Sequence, residues 1–504
     1  MFDAVVQIQG TVWQLLPELI LVIAACVHFA VGPFMSRPGE SVPSGTRHRW
    51  GATTVLALAF AFWATLMAHP SVQATASAQF CVDPLATLVR IMSLSTGLIL
   101  LLISWNQTDD QSAAEQHACL LLIVAGVNLV ALANDLVVLF LALELVSMPT
   151  YLLLYLGRQN SQGEEATIKY FLLSIFSSAI ALFGFSYLYG IAGSTNLVAI
   201  KEALALGATA PMPAVIGLAV VMVLVGLGFR LTAVPFHFYA PDVIQGVADS
   251  AGALLSFVPK IAGFVALLRL LMLAPIQPIG GTLWTPIAQA SLIIGILAIA
   301  SMSIGNFFAL QQKNIRRLLA WSSVAHAGYL LVGLAMAYQA AGPVRPVTAL
   351  LFYLLAYGAM TGGAFAVLGM VHQRERRTEA IDDLAGLSQT NPSAALLMTI
   401  FLLSLSGLPP TVGFLGKWNL FLAAWSSGSD LGRWLAVIMA VNAAIGAWYY
   451  LRVIAAMYLQ SSTSNEKQSI EIPAFVGGLI CAALTLAFFV VPSWLWHWVD
   501  AASF

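Results

Sequence analysis

Charge is scarce in this chain. Asp, Glu, Lys and Arg make up 9% of its 504 residues, against about 25% in a soluble domain, while 60% are hydrophobic and the mean hydropathy is +0.88. No soluble core hides that much apolar surface, which excludes water-soluble, fibrous, disordered and nucleic-acid-binding proteins. The formal net charge is −1, so neither sign is in excess for a polyanionic or polycationic partner. Cysteine is equally sparse. Cys26, Cys81, Cys119 and Cys481 form neither a C-x-x-C pair nor any metal-ligand spacing, so they read as buried thiols without a disulfide framework. Also missing are a Walker loop, a G-x-G-x-x-G leading from strand to helix, a haem-attachment C-x-x-C-H and an iron–sulfur spacing, so no cofactor or metal site is expected in this chain.

What the sequence has is apolar length. A hydrocarbon core of about 30 Å takes about 20 residues of helix, and fourteen stretches of that kind stand between charges and turn residues. They run approximately over 12–34, 50–69, 84–105, 117–133, 135–157, 166–192, 213–234, 248–274, 284–306, 316–339, 346–371, 393–425, 433–459 and 473–497. No interval between them is long enough for a soluble domain, and the first has no basic segment before it and no clear cleavage site after it. The reading is an all-α polytopic membrane protein, one membrane domain over 1–504 with no removable signal.

An even number of spans leaves both termini on one side of the bilayer. With the loop after span 1 taken as inside, inside loops hold Arg37, Arg47, Arg49, Arg158, Lys169, Lys313, Arg316, Arg317, Arg374, Arg376, Arg377 and Lys467. Outside loops hold only Lys201, Arg345 and Arg433. Twelve cations against three place both termini on the periplasmic or equivalent outer face, in a membrane expected to be the bacterial inner membrane.

Ionisable groups at mid-bilayer cost at least ~2.5–3.5 kcal/mol each, which makes each a functional candidate. Glu144 lies nine residues past Asp135, where a helix starts, and so about 13 Å deep. Lys260, eleven residues after Asp249 and nine before Arg269, is also central. Lys417 stands in a glycine-rich stretch inside the longest apolar run, and Arg230 lies in span 7 just before Pro235. For any one such charge, a packing pair is a fair alternative. Four at comparable depth suit a relay of protons or ions, in which lysine can give up its proton when desolvated and arginine cannot.

Two spans are interrupted. Span 7 reads GLGFRLTAVPFHFYAPDV, where Pro235 removes a backbone donor and Pro241 is expected to end the segment beyond it. Span 12 reads LSLSGLPPTVGFLGKWN, broken at Pro409 and Pro410. Broken helices at that depth line protein or a wet cavity, and a corresponding pair of breaks is the trace that internal repeats leave in transporters. His237 lies just past the first break, and His326 sits about 15 Å along span 10. A lone histidine on an apolar helix is more often a packing residue, yet its near-neutral titration also makes it a ready proton carrier.

In these motifs the sequence resembles a known family. ANDLVVLFLALELVSMPTYLL around Glu144, ATIKYFLLS at Lys169, the two broken segments, SFVPKIAGFVALLR around Lys260, NIRRLLAWSSVAHAGYLLVGL, FYLLAYGAMTGGAFAV and IDDLAGLSQTNP resemble subunit N of the proton-pumping NADH:quinone oxidoreductases, respiratory complex I. Its chloroplast and cyanobacterial counterpart is called subunit 2. The likeness runs from LLPELIL near the amino terminus to span 13, and LLPE, FLALEL and DDLAGL favour subunit N over its antiporter-like paralogues.

The resemblance implies about fourteen transmembrane helices with two inverted five-helix repeats. Spans 1–3 lie at 12–105, the repeats over spans 4–8 at 117–274 and spans 9–13 at 284–459, and span 14 at 473–497. It further implies that Glu144 pairs with the cation of span 7, that Lys260 continues the line, and that Lys417 lies at the outlet. Flavin, iron–sulfur clusters and the quinone site would belong to partner membrane-complex subunits. The expected proton path is Glu144, Arg230, Lys260, His326 and Lys417, with Lys169 and His237 as secondary candidates. Two departures stand out: Arg230 occupies the place of the lysine in the family's GFK, and Gln245 stands where an acid is usual. A subunit of an Mrp-type cation/proton antiporter, or a scaffold that has lost pumping, are the alternative readings.

Overall fold

A computed structural model describes residues 12–35, 45–68, 78–157, 160–206, 213–271, 285–338, 343–371, 379–461 and 471–503. Arg37, Arg158, Arg374, Arg376, Arg377 and Lys467 of the charge count lie outside the described residues, as do the expected span ends at 69, 272–274, 284 and 339. The helices are α1 Leu16–Met35, α2 Thr46–Met67, α3 Pro84–Ser104, α4 Ala113–Leu132, α5 Leu136–Gly157, α6 Ser161–Ala192, α7 Leu197–Leu206, α8 Pro213–Leu231 and α9 Ala240–Gly246. After them come α10 Asp249–Leu271, α11 Thr285–Leu310, α12 Ile315–Ala335, α13 Pro346–Met370, α14 Pro392–Ser406, α15 Val412–Trp425, α16 Asp430–Leu459, α17 Ile472–Val490 and α18 Pro492–Ala502.

Thirteen of these are long and apolar enough to cross a membrane, and the broken pair α14/α15 supplies the fourteenth crossing. The chain is an integral membrane protein. Its helix starts are written in the sequence: Asp83, Asn160, Asn314, Asn391 and Ser429 each accept a backbone N–H of the first turn they precede. Asp135 does the same for α5, taking the Val137 N–H at 2.8 Å.

Burial sorts the helices into a centre and a rim. Every residue in the apolar windows of α10 and α12 is buried, and nearly all of α13, whereas α1, α6, α16 and α17 bury less than half of theirs. Lys260 and His326 therefore stand on the two most enclosed helices. Around that centre α4 packs on α5 and α1, α6 on α8, α11 on α12, and α13 on α10 and α17.

A backbone clasp occurs twice. The Leu136 N–H donates to Thr195 O at 2.8 Å and the Leu197 N–H to Asn134 O at 2.9 Å, tying the α4/α5 junction to the end of α6. The Ile315 N–H donates to Glu379 O at 2.9 Å and the Ile381 N–H to Lys313 O at 2.8 Å, tying the α11/α12 junction to the loop beyond α13. Each clasp ties a helix–helix junction to the chain beyond the second helix that follows it, so the same tie recurs in two stretches of the chain.

Three details differ from expectation. Pro241 does not end a segment: it sits in the first turn of α9, where its missing N–H costs nothing and its fixed φ suits a helix start. The last span is shorter than 473–497, because α17 ends at Val490 and Pro492 opens the separate helix α18, which carries three tryptophans. The short helix α7 lies between α6 and α8, where the sequence suggests no element.

Candidate functional site

Asp135 sets the start of α5, and the helical rise then carries Glu144 inward to meet Arg230 in the last turn of α8. The Arg230 Nη2 donates to Glu144 Oε1 at 3.1 Å and to Ser178 Oγ of α6 at 3.2 Å. Its Nη1 donates to Ser147 Oγ at 2.5 Å and to Leu143 O at 3.1 Å. The Ser178 hydroxyl donates to the same Glu144 oxygen at 2.5 Å. Three helices thus converge on one guanidinium, which is buried, while the Glu144 side chain is 15% exposed at the rim.

Beyond Arg230 the helix ends, with Thr232 in the left-handed region and the Val234–Pro235 peptide cis. The backbone groups freed there are taken up locally, as a membrane interior demands. The Ala233 N–H donates to Gly228 O at 3.0 Å, and the Val234 N–H to Ser301 Oγ at 3.0 Å. The stem of Arg230 and Leu231 lie against Gly263 of α10, where a Cβ would meet Leu231 at 2.7 Å. Gly263 is three residues beyond Lys260 on α10, so the backbone that carries Arg230 packs against α10 one helical turn from that lysine's position.

Lys260 is fully buried and holds its ammonium differently. Its Nζ donates to Ser323 Oγ of α12 at 2.5 Å and to Ser256 O at 3.2 Å, and it lies 5.8 Å from the centre of the Tyr357 ring. The same phenol ring is stacked on His326, with centroids 5.1 Å apart. His326 bonds through Nδ1 to the Tyr353 hydroxyl at 2.5 Å and through Nε2 to the Tyr450 hydroxyl at 3.0 Å. Tyr329, edge-on to His326 at 5.5 Å, presents its ring 4.8 Å below the Nζ of Lys417.

Lys417 is placed by the second break. Helix α14 stops at Gly407, whose φ of +81° is the left-handed conformation that glycine adopts freely. The chain then turns so tightly that a Cβ on Gly413 would collide with Ser404 O, and α15 starts directly against the end of α14. From α15, Lys417 Nζ reaches back to donate to Leu405 O at 2.8 Å and Ser406 O at 3.1 Å. A cation at the carbonyl end of a helix meets its partial negative charge.

The five principal residues therefore form two groups: the Glu144–Arg230 pair, and a line Lys260, Ser323, Tyr357, His326, Tyr329 and Lys417. Among the described residues neither lysine makes an ion pair. The secondary candidates lie apart. Lys169 pairs with Glu165 at 2.7 Å and Asp242 at 3.2 Å on the wall of an open cavity of about 210 Å³, and its side chain is 40% exposed. Arg317 joins the same cluster through Asp242 at 2.7 Å and Gln245 Oε1 at 2.9 Å. His237 lies against Trp321, ring centres 5.3 Å apart. Among the described residues no group of three or more His, Cys, Asp or Glu is placed to hold a metal ion.

Sequence reading missed the hydroxyls and rings that join the cations. Ser323, His326 and Tyr329 recur every three residues on α12, and Tyr353 and Tyr357 are four apart on α13, so each set shares one helix face. That spacing was a usable signal. It also missed three ion pairs that pin the bundle: Arg90 with Glu18 at 2.7 Å, Arg269 with Asp83 at 2.5 Å, and Arg316 with Asp249 at 2.6 Å. Glu18 gave no signal of depth, because it stands only two residues into α1.

Residues 133–446 match the family described as NADH:quinone oxidoreductase/Mrp antiporter, transmembrane. A relative from Solibacter usitatus, NADH-quinone oxidoreductase subunit N 1, is 36% identical, the alignment covering 96% of this chain and 95% of the relative. A chain of respiratory complex I from Thermus thermophilus with bound aureothin superposes with a TM-score of 0.77 at 28% identity, over 96% of this chain and 99% of that one. A chain of the Mrp complex from Dietzia sp. gives a TM-score of 0.80 at 19% identity, over 97% of each, a likeness of fold alone.

Proposed function

The chain belongs to the NADH:quinone oxidoreductase/Mrp antiporter transmembrane family, and we propose that it translocates protons as the subunit-N component of a complex I-type assembly. Electron transfer from NADH to quinone, with its flavin and iron–sulfur clusters, is the work of partner subunits. This chain's share is to carry protons through its membrane domain, built of spans 1–3, the repeats 4–8 and 9–13, and span 14. The membrane is the bacterial inner membrane, with both termini on the periplasmic side. That orientation accords with the bias of twelve inside cations against three outside.

The single observation that supports this most is the buried line from Lys260 to Lys417. Two ammonium groups that have no carboxylate partner among the described residues are joined through Ser323, Tyr357, His326 and Tyr329 of the enclosed helices α12 and α13. A lysine so held changes its charge by releasing a proton to a neighbouring hydroxyl, imidazole or water, a step that a carboxylate partner would oppose. His326, with a tyrosine hydroxyl on each ring nitrogen, can accept at one and donate at the other. The Glu144–Arg230 pair is the switch at the other end: Arg230 keeps its proton, and closing or opening the pair changes the field felt by Lys260 on the helix that packs against α8. Lys169 and His237, which lie apart from that line, are secondary candidates only.

The test is proton uptake by the assembled complex in proteoliposomes, measured against electron transfer. Lys260→Met and Lys417→Met are each expected to lower protons moved per electron while the complex still assembles. Unchanged stoichiometry in both would leave a scaffold. Dependence of the transport on sodium would point instead to cation/proton exchange of the Mrp kind.

A further inference from the structure

Helices α2, α3, α10, α13, α17 and α18 enclose a half-open cavity of about 460 Å³ that the proton line does not use. Among the described residues its lining is almost wholly apolar and carries no charged side chain. A charged or strongly polar ligand would lose its hydration there without compensation. The cavity runs along α3 from Leu88 to Ile99, eleven residues or about 16 Å at 1.5 Å each, which is half the thickness of a ~30 Å hydrocarbon core. It starts at Trp494 and Trp498 of α18, both exposed, on the side of the chain termini. Tryptophans at such a place mark the boundary between headgroups and hydrocarbon. The far end closes on Phe257 and Gly358 near mid-membrane.

Width decides what fits. A volume of 460 Å³ over that length leaves a mean cross-section of about 30 Å². A slot of that accessible section suits a single hydrocarbon chain, its girth set by carbon contacts of about 4 Å.

We propose that this groove is a lipid site that takes one acyl chain of a phospholipid from the leaflet facing the chain termini, with the headgroup at Trp494 and Trp498 and the chain end against Phe257. The Phe257 ring meets Tyr357 edge-on, centroids 6.1 Å apart, and Tyr357 is the ring beside Lys260. An occupied groove leaves water no room one ring away from the buried ammonium.

The assembled complex in nanodiscs, doped with phosphatidylethanolamine carrying a photoreactive diazirine midway along one acyl chain, tests the site. After irradiation, peptide mapping is expected to find the label on α3 between Leu88 and Ile99 or on the segment holding Phe257. Ser95→Trp and Ala359→Phe, which fill the groove from opposite walls, are expected to remove most of that label. Label confined to outward faces of α1, α6, α16 and α17 would overturn the proposal. So would label unchanged in both variants, or label displaced by excess isoprenoid quinone. Should the variants fail to assemble, the wild-type map and the quinone competition alone decide.

Discussion

The two regions of the site hold their buried cations in opposite ways. In the Glu144–Arg230 pair the guanidinium donates to a carboxylate, two hydroxyls and a carbonyl. On the line from Lys260 to Lys417 the ammonium groups meet, among the described residues, only carbonyls, one serine hydroxyl and aromatic faces. A guanidinium in a paired, hydrogen-bonded cage is a fixed structural charge, whereas an unpaired buried ammonium bears its desolvation cost for a reason other than stability. The difference teaches which cations hold the fold and which are placed to exchange protons.

The largest test of that contrast sets stability against transport. Lys260→Met removes a buried charge that has no counter-ion and replaces it with an apolar side chain of similar length. Thermal unfolding of the complex is expected to be unchanged or later, since exchanging buried charge for a packed hydrophobe is often neutral or stabilising. Proton transport in the same preparation is expected to fall by about 10²-fold, the scale of a positioned proton-transfer group. A clear loss of thermal stability would show Lys260 to be part of the frame.

Glu144→Gln attacks the other side of the comparison. It leaves Arg230 buried among neutral acceptors, and breaking a buried pair costs about 3 kcal/mol at the lower end of its range, the end that suits a carboxylate 15% exposed at the rim. Reduced thermal stability or poor assembly is expected, the reverse of Lys260→Met. Arg230→Lys is milder. It keeps the charge but gives up the planar fork that reaches Ser147, Ser178 and Glu144 together, a loss of about 1–2 kcal/mol. Protons per electron are expected to stay nearly as they were, because Arg230 acts as a fixed counter-charge; a several-fold rise would show that the position needs a group able to release its proton.

Much of this was legible in the sequence for reasons of cost. Apolar length fixes the crossings, because the bilayer admits little else, and a charge counted nine or eleven residues from a helix start is deep by arithmetic alone. The breaks at Pro235 and Pro409–Pro410 were visible because proline removes a donor that the membrane interior cannot replace. What escaped was pairing between distant helices. Asp83 finds Arg269 and Glu18 finds Arg90 only once the bundle is closed, and no local pattern encodes such a match. The tyrosines escaped because a phenol reads as packing until a neighbour turns its hydroxyl to use. Lys169 was drawn in by its motif, yet it lies in a half-exposed cluster where charge is cheap.

That surface cluster gives the smallest effect and the finest edge to the comparison. Gln245 accepts from Arg317 at 2.9 Å beside Asp242, where the sequence departs from an acid usual in its family. Gln245→Glu adds a carboxylate to a guanidinium whose side chain is 32% exposed and already paired to Asp242. Exposed pairs contribute about 0.2–1 kcal/mol, and repulsion from Asp242 and Glu165 offsets part of that. A stability change near the limit of detection is expected, shrinking further in high salt as the exposed charges are screened. Proton transport is expected to be unchanged, because the charge that matters lies on the enclosed line and not on its rim. If transport in Gln245→Glu instead shifted several-fold, the boundary between structural and exchanging charges would have to be redrawn to take in Asp242, Arg317 and Lys169.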